Sequence, residues 1–151
     1  MRKSGIQFFL IDAPETVVSE VARQTVDQGI YLFNTTSIGD KIRNEDCQKH
    51  LFHFSASRSM RTDAIAQYLV SQKWTRILVL QGPLPEDLET TQAFERSSKH
   101  FGLEIEEIRN FVLGNDPRSR DINDLDFLTG KARYYAVFVA DADGEFSLGL
   151  P

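Results

Sequence analysis

A single cysteine, Cys47, leaves the 151-residue chain without any internal disulfide. No apolar run approaches the roughly 20 residues that a membrane-spanning helix needs. The nine glycines and five prolines form no low-complexity tract and no internal repeat. Nor do the glycines gather into G-x-G-x-x-G, a P-loop or G-x-S-x-G, so dinucleotide, Walker and nucleophile-elbow chemistry have no motif to stand on. Gln81-Gly82-Pro83 carries one glycine, and the prolines around it remove backbone donors that a phosphate cradle would use. Basic residues are in deficit, 17 against 22 acidic, for a net charge of −5 and a pI near 5.2. With Lys and Arg scattered apart from Arg58 and Arg61, no nucleic-acid footprint is expected. The basic start, Met-Arg-Lys-Ser-Gly, is followed only by the apolar Ile6 to Ile11, which falls short of a secretory h-region. That leaves two readings open: a cytoplasmic protein, or a chain that begins inside a longer one.

What is present is an ordinary globular composition, 41% hydrophobic and 26% charged, at the length of one typical domain. Three times an apolar run stops on a small or polar residue and an amphipathic segment follows. Phe8 to Ile11 ends at Asp12, Ile30 to Phe33 at Asn34, and Ile77 to Leu80 at Gln81. This is the βα rhythm of a parallel α/β sheet. Such sheets bind ligands beyond the carboxyl ends of their strands, which places the site before its content is known.

Asp12-Ala13-Pro14-Glu15 reads as a helix start, with Asp12 as N-cap and Pro14 in the first turn. The stripe Val17, Val18, Val21, Ala22 and Val26 carries that helix to Gly29 at its C′ position. Ile30 to Phe33 is expected to be buried on both faces. Asp40 to Lys49 is polar and irregular, Leu51 to Phe54 a short strand, and Ser55 to Ser59 a connection. A helix through Ala64, Ile65, Tyr68 and Leu69 precedes the strand Arg76 to Leu80. A second helix, about Glu86 to Phe101, stops at Gly102. Strands follow at Leu103 to Phe111 and Tyr134 to Ala140, separated by a polar, mobile loop over Asn115 to Asp121 and at most two helical turns over Asp124 to Leu128. Glu145 to Pro151 has no evident partner element.

Cys47, His50 and His53 make a C-x2-H-x2-H spacing without an evident fourth ligand, and alternation gives His53 a strand face of its own, so no metal is expected. No catalytic residue or cofactor is assigned. Asn34, Thr35, Thr36 and Ser37 place hydroxyls and an amide at a strand–loop junction, where they can hydrogen-bond a small polar solute or close a turn. Asp12 and Gln81 occupy the other two strand ends; Asp12 has the local alternative of capping its helix. Arg58 and Arg61 suit an anionic group or a solvated helix start.

Three stretches, NEDCQKHLFHFSASRSMRTDAIAQYLVSQKWTRILVLQGP, FERSSKHFGLEIEEIRNFVLGNDPRSRD and FLTGKARYYAVFVADADGEF, cover most of residues 44 to 146. They resemble the type I periplasmic binding proteins of branched-chain amino acid ABC transporters, specifically the subfamily encoded with PQQ-dependent alcohol oxidation systems. Residues 6 to 43 resemble that family's first-lobe strand–helix–strand more loosely. The resemblance implies an incomplete two-lobed fold, with residues 1–57 in the first lobe and 58–151 in the second. It implies a small solute held between lobes without catalysis, a membrane permease as partner, and a periplasmic location. The family's Ser/Thr strand end falls on Asn34 to Ser37. Its serine-rich turn falls on Asp12 to Glu15, where a carboxylate and a proline stand instead of hydroxyl donors; its tyrosine after Leu80 is replaced by Gly82-Pro83-Leu84. Two other classes remain beside this one: a Rossmann or flavodoxin-like enzyme domain using Asp12 and Asp141, and a ligand-sensing lobe of a regulatory protein.

Overall fold

A computed structural model of the chain describes residues 5–113, 123–130 and 132–149. The loop expected over Asn115 to Asp121 lies outside them. The chain divides into two compact units, Met1–Arg61 and Thr62–Pro151. Among the described residues all sheet pairing is parallel, in two three-stranded sheets.

The first unit runs β1 (Phe8–Ile11), α1 (Glu15–Gln24), β2 (Tyr31–Asn34), a 3-10 turn (Lys41–Arg43) and β3 (Leu51–His53), with strand order β1-β2-β3. Phe8 stands opposite Tyr31, and Leu32 opposite Leu51. Val18 and Ala22 on α1 bury one face of this sheet with Ile30, Leu32, Ile42 and Leu51. Among the described residues of this unit, none packs over the other face. Phe8 (63% exposed), Leu10 (75%) and Phe54 (69%) line it with Tyr31, Phe33 and Phe52. Their rings stack across the strands, Phe33 lying 5.4 Å from Phe52 and 5.6 Å from Phe54. The expectation that β2 is buried on both faces is therefore corrected, because a single helix covers a single face. Two further corrections concern α1. It ends at Gln24 with Thr25 as its C-cap, where the Thr25 hydroxyl bonds back to Val21 O at 2.8 Å, so Gly29 (φ 66°) turns the chain into β2 rather than closing the helix. It begins at Glu15 with Pro14 in the N-cap place and no side-chain cap, so Asp12 does not cap it.

α2 (Arg58–Ser71) opens within the expected connection Ser55 to Ser59, held there by Asp40, whose carboxylate accepts from the Ser59 N–H (3.1 Å) and hydroxyl (2.7 Å). β4 (Arg76–Gln81), α3 (Pro85–Phe101), β5 (Glu104–Asn110), α4 (Leu125–Thr129) and β6 (Ala136–Ala140) follow. α3 has Pro85 in its first turn with Glu86 and Asp87, and Gly102 at φ 76° ends it as expected. The strand order is β5-β4-β6. On one face Ile77 and Val79 pack with Ala66 and Leu69 of α2 and Phe94 of α3, whose ring stacks on Phe138 at 3.9 Å. On the other, Leu78 and Leu80 pack with Phe111 and Leu128. Phe146 stacks on Phe111 at 4.1 Å, so the segment from Glu145 does have a partner, a finding that corrects the expectation of none.

Candidate functional site

In the first unit all three strands deliver their carboxyl ends to one edge, and the side chains there divide into scaffold and free groups. Asn34 is scaffold. It is fully buried (0% exposed), and its Oδ1 accepts from the N–H groups of Thr36 (3.3 Å) and Ser37 (2.9 Å). Its Nδ2 donates to Ser37 O at 2.7 Å and faces His53 Nδ1 at 3.1 Å. This Asx turn satisfies every polar atom of the side chain. Thr35 donates its hydroxyl to Ile11 O at 3.1 Å, tying β2 to β1. Thr36 is exposed, and neither the Thr36 nor the Ser37 hydroxyl takes part in the turn. Asp12 is likewise exposed at the end of β1. Glu15, half-buried, lies against Gly39, where a Cβ would collide with its carboxylate; one of its oxygens is buried with no partner among the described residues.

Arg43, which sequence reasoning did not single out, ties this edge together. Its guanidinium donates to Gly39 O (2.7 Å), Ser55 O (2.6 Å) and Ser37 O (3.5 Å), joining the β2 loop to the end of β3. Because Asn34 presents an amide N–H₂, His53 Nδ1 must accept, which puts the imidazole proton on Nε2. Burial first, and then the nearby Arg43 charge, holds the His53 pKa below its ordinary value. The unfolded chain therefore takes up this proton before the folded one does. Stability should be full above about pH 6.5 and fall as the pH drops from there through the lowered value. His53→Asn, which keeps an acceptor for Asn34, should flatten that slope in urea titrations between pH 7 and 5. His50 Nε2 is bonded to the Thr25 hydroxyl at 3.0 Å, so each histidine of the C-x2-H-x2-H spacing has a structural partner, while Cys47 is exposed.

In the second unit the chain leaves β4 through α3 to β5 on one side, and then returns through α4 to β6 on the other. α3 and α4 pack on opposite faces, as right-handed connections running in opposite directions require. The carboxyl ends of β4 and β6 thus flank a topological switch point, where open α/β sheets form a crevice. Gln81 is half-buried at the end of β4. Asp141 follows β6; its Oδ2 accepts from the Ser147 N–H at 2.7 Å, while its Oδ1 is buried with no partner among the described residues. A cavity of about 610 Å³ lies elsewhere, beside β5 and α4, lined by Arg109, Asn110 and Phe127 among others. Arg109 is occupied there, donating to the carbonyls of Phe127, Leu128 and Gly130 and to Glu107. None of the six sequence-selected residues lines that cavity.

No protein-family model matches the chain, and no curated protein sequence does. Solved structures do. The chain is similar to an ABC transporter substrate-binding protein from Desulfitobacterium hafniense, at 18% identity and a TM-score of 0.73 over 95% of this chain and 41% of that one. The complex of such a protein from the same organism with Leu gives 18% identity and a TM-score of 0.71, over 95% and 42%. A branched-chain amino acid ABC transporter periplasmic ligand-binding protein from Burkholderia xenovorans matches at 12% identity and a TM-score of 0.66, over 80% and 34%. At these identities the likeness is one of fold: parallel α/β units of the substrate-binding-protein architecture. The chain spans about two fifths of the length of the first two of these proteins.

Proposed function

We propose that the chain is part of a solute-binding component of an ABC importer, of the type I periplasmic class, binding a small polar molecule between two lobes without catalysis. The observation that carries this reading is the match of 95% of the chain to a substrate-binding protein at a TM-score of 0.73. On this reading residues 1–57 belong to the first lobe and 58–151 to the second, the protein works in the periplasm, and a membrane permease is its partner. The subfamily encoded with PQQ-dependent alcohol oxidation systems is the finer assignment, supported by the sequence stretches between 44 and 146. Of the candidate contacts, Asp12, Thr36, Ser37 and Gln81 meet the solute, whereas Asn34 and Thr35 shape the loop that presents it.

A solute surrounded on all sides forfeits most of its desolvated contacts when only part of the surround is present. The 151-residue chain should therefore give no saturable heat at micromolar leucine, short alcohols or aldehydes in calorimetry. Amide-resolved NMR at millimolar solute should show shifts at the strand-end loops, around Asp12, Thr36 and Gln81. Shifts confined to the amino ends of the strands would sink the assignment. Asp12→Ala should erase the shift at its own loop and leave the melting temperature unchanged, since α1 takes no cap from Asp12; a clear drop in melting temperature would return Asp12 to a structural role.

A further inference from the structure

We infer that Asp87 is a positioning residue that latches together the two strand-end loops at the switch point of the second sheet. Its relevance to solute binding rests on the reading proposed above; its geometry does not. Asp87 sits in the first turn of α3 and is fully buried, at 0% exposure. Its Oδ2 accepts from the Leu84 N–H at 2.9 Å, closing the β4–α3 loop onto the helix start. Its Oδ1 accepts from the Ala142 N–H at 2.6 Å, a residue 55 positions away in the loop after β6. A helix cap explains the first bond and not the second. Among the described residues no lysine or arginine pairs with this carboxylate, so two backbone donors from two different loops are what stabilise it in the interior.

Gly82 shows how closely the group is fitted. A Cβ there would overlap Asp87 Oδ2 and stand 2.8 Å from Phe111 Cζ, so the loop after β4 passes over the carboxylate only because the residue is glycine. The Gly82 N–H in turn donates to Ala140 O at 3.0 Å, which carries the β4–β6 ladder up to the point where the two loops begin. Gln81 ends β4 just before this junction, and Asp141 follows β6 just before it. The backbone is thereby fixed on both sides of the switch point, where Gln81 and Asp141 stand at the ends of their strands.

The test is hydrogen exchange on the 151-residue chain without solute, so it stands or falls independently of the solute titration. Asp87→Asn keeps the shape but offers one acceptor and turns an amide N–H toward the other donor. Gly82→Ala leaves the carboxylate and displaces it. Both variants should raise exchange at Leu84 and at Ala142 at least tenfold, while Leu78 and Val79 within β4 keep their protection. Faster exchange confined to the start of α3 would reduce Asp87 to a helix cap. A uniform rise across the second unit, or loss of folding in both variants, would show a general core residue and overturn the latch.

Discussion

Replacing Asn34 by leucine is expected to destabilise the first unit by about 3–5 kcal/mol, because each buried polar group left unpaired costs roughly 1–3 kcal/mol. Leucine matches the outline of asparagine, so the loss reports hydrogen bonds and not a cavity. The groups orphaned are the N–H of Thr36, the N–H of Ser37 and His53 Nδ1, while the Ser37 carbonyl keeps only its 3.5 Å bond from Arg43. A loss of that size is a large share of the roughly 5–15 kcal/mol that holds a domain folded. Urea denaturation followed by circular dichroism measures it, and a cost below about 1 kcal/mol would mean the turn stands without its asparagine. Asn34→Asp separates the two halves of the network. It keeps the acceptor for Thr36 and Ser37, so it should cost less than leucine. It also places a carboxylate oxygen against His53 Nδ1, which should raise the imidazole pKa, in the opposite direction to that in the native protein.

The elements of this fold were legible wherever local chemistry decided them. β4 shows four consecutive buried residues, Ile77 to Leu80, as a central parallel strand should, and Gly102 closes α3 where the sequence placed it. Failures came where a neighbour decided. Asp12 matched a capping pattern, yet the helix begins one residue after Pro14, and the carboxylate stands two positions short of the cap. The run Ile30 to Phe33 is uniformly apolar, so its pattern could not reveal that Tyr31 and Phe33 face no helix among the described residues of their unit. Aromatic rings stacked across strands look the same in sequence as rings buried under one.

The candidate site divided in the same way. Strand ends are readable in the sequence, and Asn34 to Ser37, Asp12 and Gln81 do stand at the carboxyl ends of β2, β1 and β4. The division of labour among them is not readable there, because it depends on which polar atoms the fold has already used. Asn34 has the chemistry of a ligand contact and spends all of it on its own loop. Asp87 and Arg43 carried no local signal beyond a charge in a helix start and a charge in a polar stretch. Their partners lie 55 and 12 residues away respectively, Ala142 for one and Ser55 for the other, and only the folded topology brings them together.

Arg43→Met is expected to cost about 2–4 kcal/mol and to loosen the Thr35 to Gly39 loop, because a charged donor's hydrogen bonds are worth roughly 1.5–3 kcal/mol and several carbonyls lose theirs together. The carbonyls of Gly39, Ser37 and Ser55 converge on one planar guanidinium, which spans them because its donors point outward in a fixed fork. Lysine carries the same charge on a compact ammonium and cannot span three acceptors, so Arg43→Lys should lose nearly as much stability as methionine does. The two variants should nevertheless part company at His53. The Arg43 charge is one of the causes, after burial, that hold the His53 pKa down. Methionine removes that charge, and the imidazole pKa should rise toward 6.5; lysine keeps it, and the pKa should stay low. Urea titration measures the first effect and NMR titration of the imidazole measures the second. Were lysine to restore full stability, Arg43 would act by charge alone, and the convergence of carbonyls upon it would be incidental to the shape of the loop.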